Sequence, residues 1–454
     1  MKSSKNKQLL EHDGFVYRFD KPISGGRKKS WRCMKKGCLG RLHTDSSDGS
    51  PVSVGTHDHS ADPLQTQQYK FRSDLRSESA RTTRPIPAIY DGQVASAAAS
   101  GLRALPHLPY KHVKSSMYRS RNKLIPPLPA DTISVPTPLP QAFSETSANQ
   151  RFLLFQLQNN AAICFATDES LSLLERSPEW YMDGTFDSAP SPFGQLFTVH
   201  VFFGDKQLPA VFVLMESKSA QLYNDVFSEL ILQAAMKGVT LRPTTVVSDF
   251  ETGLLTSVKQ VFPAAKHRGC YFHFCQAVIR NLGRHSVREL YMTDADFNLY
   301  VRKLLALAFL PPAIVRINSG PIISHIVRTW PSARPFVTYF SRQWFDQCPP
   351  HFWSVYGIQR RTNNDLESWH MRFNRRVGRY HPNLWQFISF LKEEQAVVDS
   401  ARTQLLQGHV IHRTNKKYAR LNERLEKLST EYRAGTRTAD ELLLGVAHNI
   451  SPDV

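Results

Sequence analysis

Cysteine is sparse in this chain: six among 454 residues, at Cys33, Cys38, Cys164, Cys270, Cys275 and Cys348. That density excludes a disulfide-stapled secreted scaffold. No run approaches the roughly 18 apolar residues of a membrane-spanning helix. The N-terminus has Lys and Ser but lacks the apolar segment of a secretory leader. The expectation is an intracellular protein with no membrane partner and reduced thiols, in which paired cysteines bind metal. Acid is short as well. There are 39 Asp+Glu against 57 Lys+Arg, a formal charge of +18. Such an excess favours a polyanionic partner, nucleic acid first, over a merely basic soluble protein. Residues 1–150 hold 23 Lys+Arg against 12 Asp+Glu, a net of +11. A third of the chain thus carries well over half of the excess, so the N-terminal region is the one expected to face DNA.

The length exceeds what one compact core serves, and two or three domains are expected. Residues 10–62 read as a small β-rich module, with Phe15, Tyr17 and Phe19 alternating with Val16, Arg18 and Asp20. Residues 63–125 are basic and partly helical, with helices expected over 89–105 and 112–123. The second is flanked and filled by Lys111, Lys114, Arg119, Arg121 and Lys123. It is either a small DNA-binding unit or a solvated helical spacer. Prolines crowd residues 126–140, and 126–149 read as a linker or extended arm.

From residue 150 the pattern becomes that of an α/β domain. Strands are expected over 151–158, 161–166, 180–186, 196–203 and 210–216. A helix over 219–237 follows, with Leu222, Val226, Leu230 and Ala234 at helical spacing. Then come a strand at 243–248, a helix at 251–262 and a short strand at 264–270. The order of elements implies a mixed sheet. Residues 276–355 read as mainly helical, and 381–454 as a helical C-terminal tail.

Two clusters carry chemistry. In the first, Cys33 and Cys38 are followed by His57 and His59. Two thiolates and two imidazoles make the closed tetrahedral set of structural zinc, and metal binding would supply folding energy that so small a module lacks. In the second, three acids have distinctive settings. Asp183 lies in Trp180-Tyr181-Met182-Asp183-Gly184-Thr185-Phe186. Asp249 ends the apolar run Thr245-Val246-Val247-Ser248. Glu367 lies in Thr362-Asn363-Asn364-Asp365-Leu366-Glu367-Ser368. Singly, Asp183 reads as Asp-Gly turn chemistry, Asp249 as a helix N-cap and Glu367 as a surface carboxylate. Together, two aspartates at strand ends and a glutamate on a later helix suit a two-metal phosphoryl-transfer site for Mg2+ or Mn2+.

The two clusters also resemble known families. Phe15-Val16-Tyr17, Trp31-Arg32-Cys33, Cys38-Leu39-Gly40-Arg41-Leu42-His43-Thr44 and His57-Asp58-His59 resemble the FLYWCH-type zinc finger, whose ligands would be Cys33, Cys38, His57 and His59. Asp-Gly-Thr-Phe at 183–186, Ser-Asp-Phe-Glu at 248–251, Gly269-Cys270-Tyr271-Phe272-His273 and Thr-Asn-Asn-x-x-Glu-Ser at 362–368 resemble transposases of Mutator-like elements. This resemblance implies an RNase H-like α/β fold with a helical insertion between the second Asp and the Glu. It implies Asp183, Asp249 and Glu367 as the catalytic, metal-binding triad, with structural Zn2+ and catalytic Mg2+ or Mn2+. Cys270 and His273 match a family signature whose role stays open. Arg360, Arg361, Arg372, Arg375 and Arg376, with Arg379, surround Glu367 and read as phosphate contacts or as plain surface charge. The implied activity is cleavage of transposon ends and strand transfer into target DNA in the nucleus, by a homo-oligomer. The alternatives are a domesticated, non-catalytic DNA-binding regulator and, less well supported, a nuclease of RNA–DNA hybrids.

Overall fold

The computed structural model describes residues 8–99, 108–123, 125–186, 188–358, 364–378, 382–409 and 416–450, with backbone alone for 364, 365, 367 and 416–418. The chain divides into two compact units, 1–128 and 129–454.

The first unit begins with a five-stranded antiparallel meander: β1 (Leu9–His12), β2 (Phe15–Ile23), β3 (Lys28–Cys33), β4 (Arg41–Asp45) and β5 (Val52–Val54). Leu9 and Leu10 pair with β2, so the sheet begins just ahead of the module expected over 10–62. Trp31 and Tyr17 are buried, and the indole Nε1 donates to Thr44 Oγ1 at 2.9 Å. Three helices follow: α1 (Pro63–Arg81), α2 (Ile86–Ala99) and α3 (Tyr110–Arg121). Asp62 caps α1 by accepting from Gln65 N, with Pro63 at the first helical position. The helices close on Phe71, Leu75, Ile86, Ile89, Leu108, Val113 and Met117. Helix α1 was not expected; its buried face consists of Phe71, Leu75 and Ser79 alone, too thin a stripe to register as periodicity.

In the second unit, the proline-dense stretch forms an extended arm rather than a free linker. Val135, Leu139 and Phe143 are buried along it, and Phe143 packs on Trp385. The arm carries the short α4 (Gln141–Ser144) and leads into a seven-stranded mixed sheet. Its strands are β6 (Leu153–Gln156), β7 (Ala162–Phe165), β8 (Glu179–Thr185), β9 (Gln195–Phe203), β10 (Lys206–Met215), β11 (Thr245–Ser248) and β12 (Lys266–Gly269), in the order β12-β11-β8-β9-β10-β7-β6. β8, β9 and β10 form an antiparallel meander, whereas β11 runs parallel to both β8 and β12.

One face of the sheet is covered by α5 (Asp168–Arg176), α6 (Ala220–Ala235) and α7 (Thr252–Val261), packed on Trp180, Met182, Val199, Val201 and Val246. Thr167 caps α5 by accepting from Ser170 N, and Ser219 caps α6 by accepting from Leu222 N. The other face receives α14 (Asn364–Val377) and α15 (Leu384–Leu406). Between β12 and α14 lie α8 (Tyr271–Arg284), α9 (Arg288–Thr293), α10 (Ala295–Ala306), α11 (Pro312–Thr329), α12 (Arg334–Ser341) and α13 (Pro350–Trp353). These build a separate core around Phe274, Leu304, Phe340, Trp344 and Trp353. The last two helices, α16 (Lys416–Arg433) and α17 (Ala439–Asn449), do not trail away as a tail. Leu425, Leu442, Leu443 and Val446 are buried in that same insertion core.

Candidate functional site

In the zinc module, β3 ends at Cys33 and a short turn delivers Cys38. Cys33 Sγ lies 3.3 Å from His59 Nε2, and Cys38 Sγ lies 3.3 Å from His57 Nδ1. All four donor atoms fall within 4.8 Å of one another, a spacing that fits one tetrahedral Zn2+. The outward ring nitrogens are held in turn. His57 Nε2 meets Tyr17 Oη at 2.8 Å, and His59 Nδ1 meets the Ser60 carbonyl at 2.9 Å. Such partners fix which nitrogen faces the metal. Phe15 stacks flat on His57, with ring centroids 3.7 Å apart. Among the described residues, no other cluster of three or more His, Cys, Asp or Glu is so placed.

The acids are placed by a different route. In β8, Tyr181, Asp183 and Thr185 point to one face, and Trp180 and Met182 to the other, by the period of two. The parallel register pairs Val247 with Tyr181. Carried two residues past its last pair, the same register would bring Asp249 alongside Asp183 at the carboxyl edge of the sheet. Asp183 is buried at 7 % exposure, and Asp249 is half-buried. Their carboxylates accept from nearby backbone N–H groups, Asp183 from Gly184 at 2.9 Å and Asp249 from Glu251 at 3.1 Å. Gly253 matters to this loop. A Cβ there would stand 2.3 Å from the Lys218 carbonyl oxygen, so only glycine lets α7 begin so close. Lys218 Nζ lies 3.6 Å from Glu251. Burial first, and Asp249 second, push the Glu251 carboxyl above the usual range.

Glu367 stands on α14, whose neighbouring residues fix where the helix runs. Leu366 is buried with Tyr181, Val247 and Cys270. Trp369 packs on His200 and Phe212, and Asn374 Nδ2 donates to Thr185 Oγ1 at 3.3 Å. His370 Nε2 reaches to 3.7 Å from Asp183 Oδ2. The backbone that carries Glu367 therefore runs beside Tyr181, Val247 and Asp183.

Cys270 is the N-cap residue of α8 and packs as a small apolar group between Tyr181, Val247 and Leu366. His273, one turn later, senses the charge of Asp249, but burial dominates and pulls its imidazole below the ordinary value. Cys275 faces the insertion core, and His267 meets Ser248 Oγ at 2.8 Å. His370 and Glu251 complete the neighbourhood; Glu251 ends the Ser-Asp-Phe-Glu run, whereas His370 is a lone histidine on a basic helix. Three of its buried polar atoms have no hydrogen-bond partner: Glu251 Oε1, His273 Nδ1 and His370 Nε2. A carboxylate-lined recess with orphaned donor atoms suits a cation of the Mg2+ or Mn2+ type.

The basic residues divide. Arg372 makes two hydrogen bonds to Glu394, a fully buried carboxylate, at 2.9 and 2.6 Å. Arg376 bonds Glu394 at 2.8 Å and pairs with Glu393. Both serve the α14–α15 contact, while Arg375 is exposed. On α3, Lys114 and Arg119 are exposed. Arg121 turns inward, donating to the carbonyls of Ser79, Thr82 and Arg84, where it closes the C-terminal end of α1. Arg360, Arg361 and Arg379 lie outside the described residues. Trp385 is buried against Phe143.

Comparison with known families places two matches on the chain. Residues 179–277 match the MULE transposase domain, and residues 1–60 match the FLYWCH zinc finger domain. The first spans Asp183, Asp249, Cys270 and His273 and stops short of Glu367; the second holds all four candidate zinc ligands. No curated protein matches the chain. The two domains suggest a transposase-derived DNA-binding protein. Among the described residues no helix is long and apolar enough to cross a membrane.

Proposed function

We propose that the chain is a metal-dependent DNA transposase of the Mutator-like class, with Asp183, Asp249 and Glu367 holding its ions. The observation that carries this reading is the parallel register of β8 and β11, with Asp183 on β8, Asp249 directly after β11, and the helix that bears Glu367 packed on β8. An RNase H-like core is the fold that goes with it. Its support is an antiparallel meander of three strands, extended by two parallel strands beside the first of the three.

Mg2+ or Mn2+ bound there supplies Lewis-acid stabilisation of the attacking and leaving oxygens of a phosphodiester. The chain's own residues prepare the place. Asp183 and Asp249 concentrate negative charge where a cation offsets it. Helix α14 packs against β8 and β10. Lys218 neutralises part of Glu251. Lys114 and Arg119 on α3, and Arg375 on α14, are the exposed cations assigned to DNA phosphates; Arg360 and Arg361 belong with them by sequence. The partners are transposon terminal repeats and target DNA in the nucleus, and joining two ends calls for a homo-oligomer.

The test is labelled terminal-repeat DNA with Mg2+ or Mn2+. Wild-type protein should cut and join it. Asp183→Asn, Asp249→Ala and Glu367→Gln should each lower the rate by at least about a hundredfold. No cleavage by wild type, or equal cleavage by Asp249→Ala, sinks the enzymatic reading. A second reading is a domesticated DNA-binding regulator. It draws support from the compactness of the first unit, which holds both the zinc module and the basic α3. It expects sequence-specific binding by zinc-loaded protein without Mg2+ or Mn2+, and no cleavage with them.

A further inference from the structure

His370 is nine-tenths buried, yet its Nε2 has no hydrogen-bond partner and lies 3.7 Å from a carboxylate oxygen of Asp183. Burying a polar nitrogen without a partner costs about 1–3 kcal/mol, and native folds rarely leave one so. The side chain has little freedom to be elsewhere. Its ring packs edge-on to Trp369 at 5.2 Å and parallel to His200 at 6.4 Å, and α14 is fastened to α15 through Glu394. The nitrogen is thus held facing Asp183.

A hydrogen bond does not account for the pair, because 3.7 Å is beyond its range. A shared cation does. Two donor atoms each about 2.1 Å from one ion stand at most about 4.2 Å apart, and 3.7 Å lies inside that limit. His370 follows Glu367 by three residues on α14, and Glu-x-x-His is a spacing by which one helix can present two ligands to one metal.

We propose that His370 is a further ligand of the cation held by Asp183, so that this position is a mixed oxygen–nitrogen site favouring Mn2+ over Mg2+. The inference rests on the acidic residues being a metal site. An imidazole suits a transition-metal ion, whereas Mg2+ prefers oxygen donors and keeps its waters. One ion position would then discriminate between the two metals while the other, built from oxygens, would not.

The experiment uses the zinc-loaded full chain and added Mn2+, without DNA. Pulsed electron paramagnetic resonance reads directly whether a nitrogen is bonded to the manganese. Titration calorimetry gives Mn2+ and Mg2+ affinities. The variants are His370→Phe, which keeps the ring against Trp369 and His200, His370→Gln, His273→Gln and Asp183→Asn, each checked for melting temperature. The expected result is a nitrogen coupling in wild type and in His273→Gln, and its loss in both His370 variants. Their Mn2+ affinity should fall by at least about tenfold, with Mg2+ affinity little changed. If Mn2+ binds, depends on Asp183 and shows no coupling to His370, the proposal fails and the acidic metal site stands. If wild type binds no Mn2+ at all, both fail. If one His370 variant does not fold, the coupling in wild type and in the other variant still decides.

Discussion

At the scale of single residues, the zinc module shows how one position constrains four others. Gly40 follows Cys38 by two residues and donates its backbone N–H to the Cys38 sulfur at 3.3 Å. A Cβ on Gly40 would stand 2.5 Å from His57 Cε1 and 2.7 Å from Nδ1, the nitrogen that faces Cys38. The ring cannot retreat, because Phe15 lies flat on it and Tyr17 holds its far nitrogen. Gly40→Ala should therefore weaken zinc binding by at least about tenfold, as read by competition with a chelator. Unchanged affinity would mean that the ring has room to move. Cys33→Ser should cost about one equivalent of zinc outright, and an unchanged content would refute the site. The ligands themselves were legible from residue type and spacing. The need for glycine was not, since it depends on a ring brought back from residue 57.

At the scale of elements, strands were legible where apolar runs coincide with buried ladders. β8, β9, β10 and β11 fall close to the expected ranges because both faces of the sheet are covered and the runs are nearly continuous. The role of α14 was legible only in part. Its arginines read from sequence as phosphate contacts or as plain surface charge. Two of them, Arg372 and Arg376, bond Glu394, 22 residues after Arg372 on a second helix, and its burial appears only when α14 and α15 are packed. Glu394 accepts from Arg372, Arg376 and the Trp369 indole. Glu394→Ala would strand two guanidinium groups and an indole N–H, and should destabilise the second unit by about 3 kcal/mol in urea unfolding. Arg372→Lys should recover little of a double contact that a single ammonium cannot make. Because α14 carries both Glu367 and His370, hydrogen exchange along it should accelerate in Glu394→Ala. Protection equal to wild type would show that the helix is fastened by its apolar face alone.

At the scale of the whole molecule, the excess of basic residues hides a population of histidines that stay neutral, and this sets how the second unit responds to acid. Burial pulls His267 down to about 4 and His200 well below its ordinary value. In the unfolded chain both titrate near 6.5. Between pH 6.5 and about 4 the unfolded state therefore binds protons that the folded state refuses, and stability rises with pH across that window. The contribution is complete above pH 6.5 and is lost as the pH falls toward 4, by at most about 1.4 kcal/mol per pH unit for each histidine. Of the seven tryptophans, all but Trp31 lie in the second unit, so intrinsic fluorescence reports its unfolding with little signal from the zinc module. Its urea midpoint should hold nearly constant from pH 8 to pH 7 and then drop steadily to pH 5. His267→Gln keeps a partner for Ser248 without titrating, so it should flatten the slope while costing some stability at pH 7. Equal slopes for wild type and His267→Gln would show that His267 charges within the fold and that acid unfolds the unit through other groups.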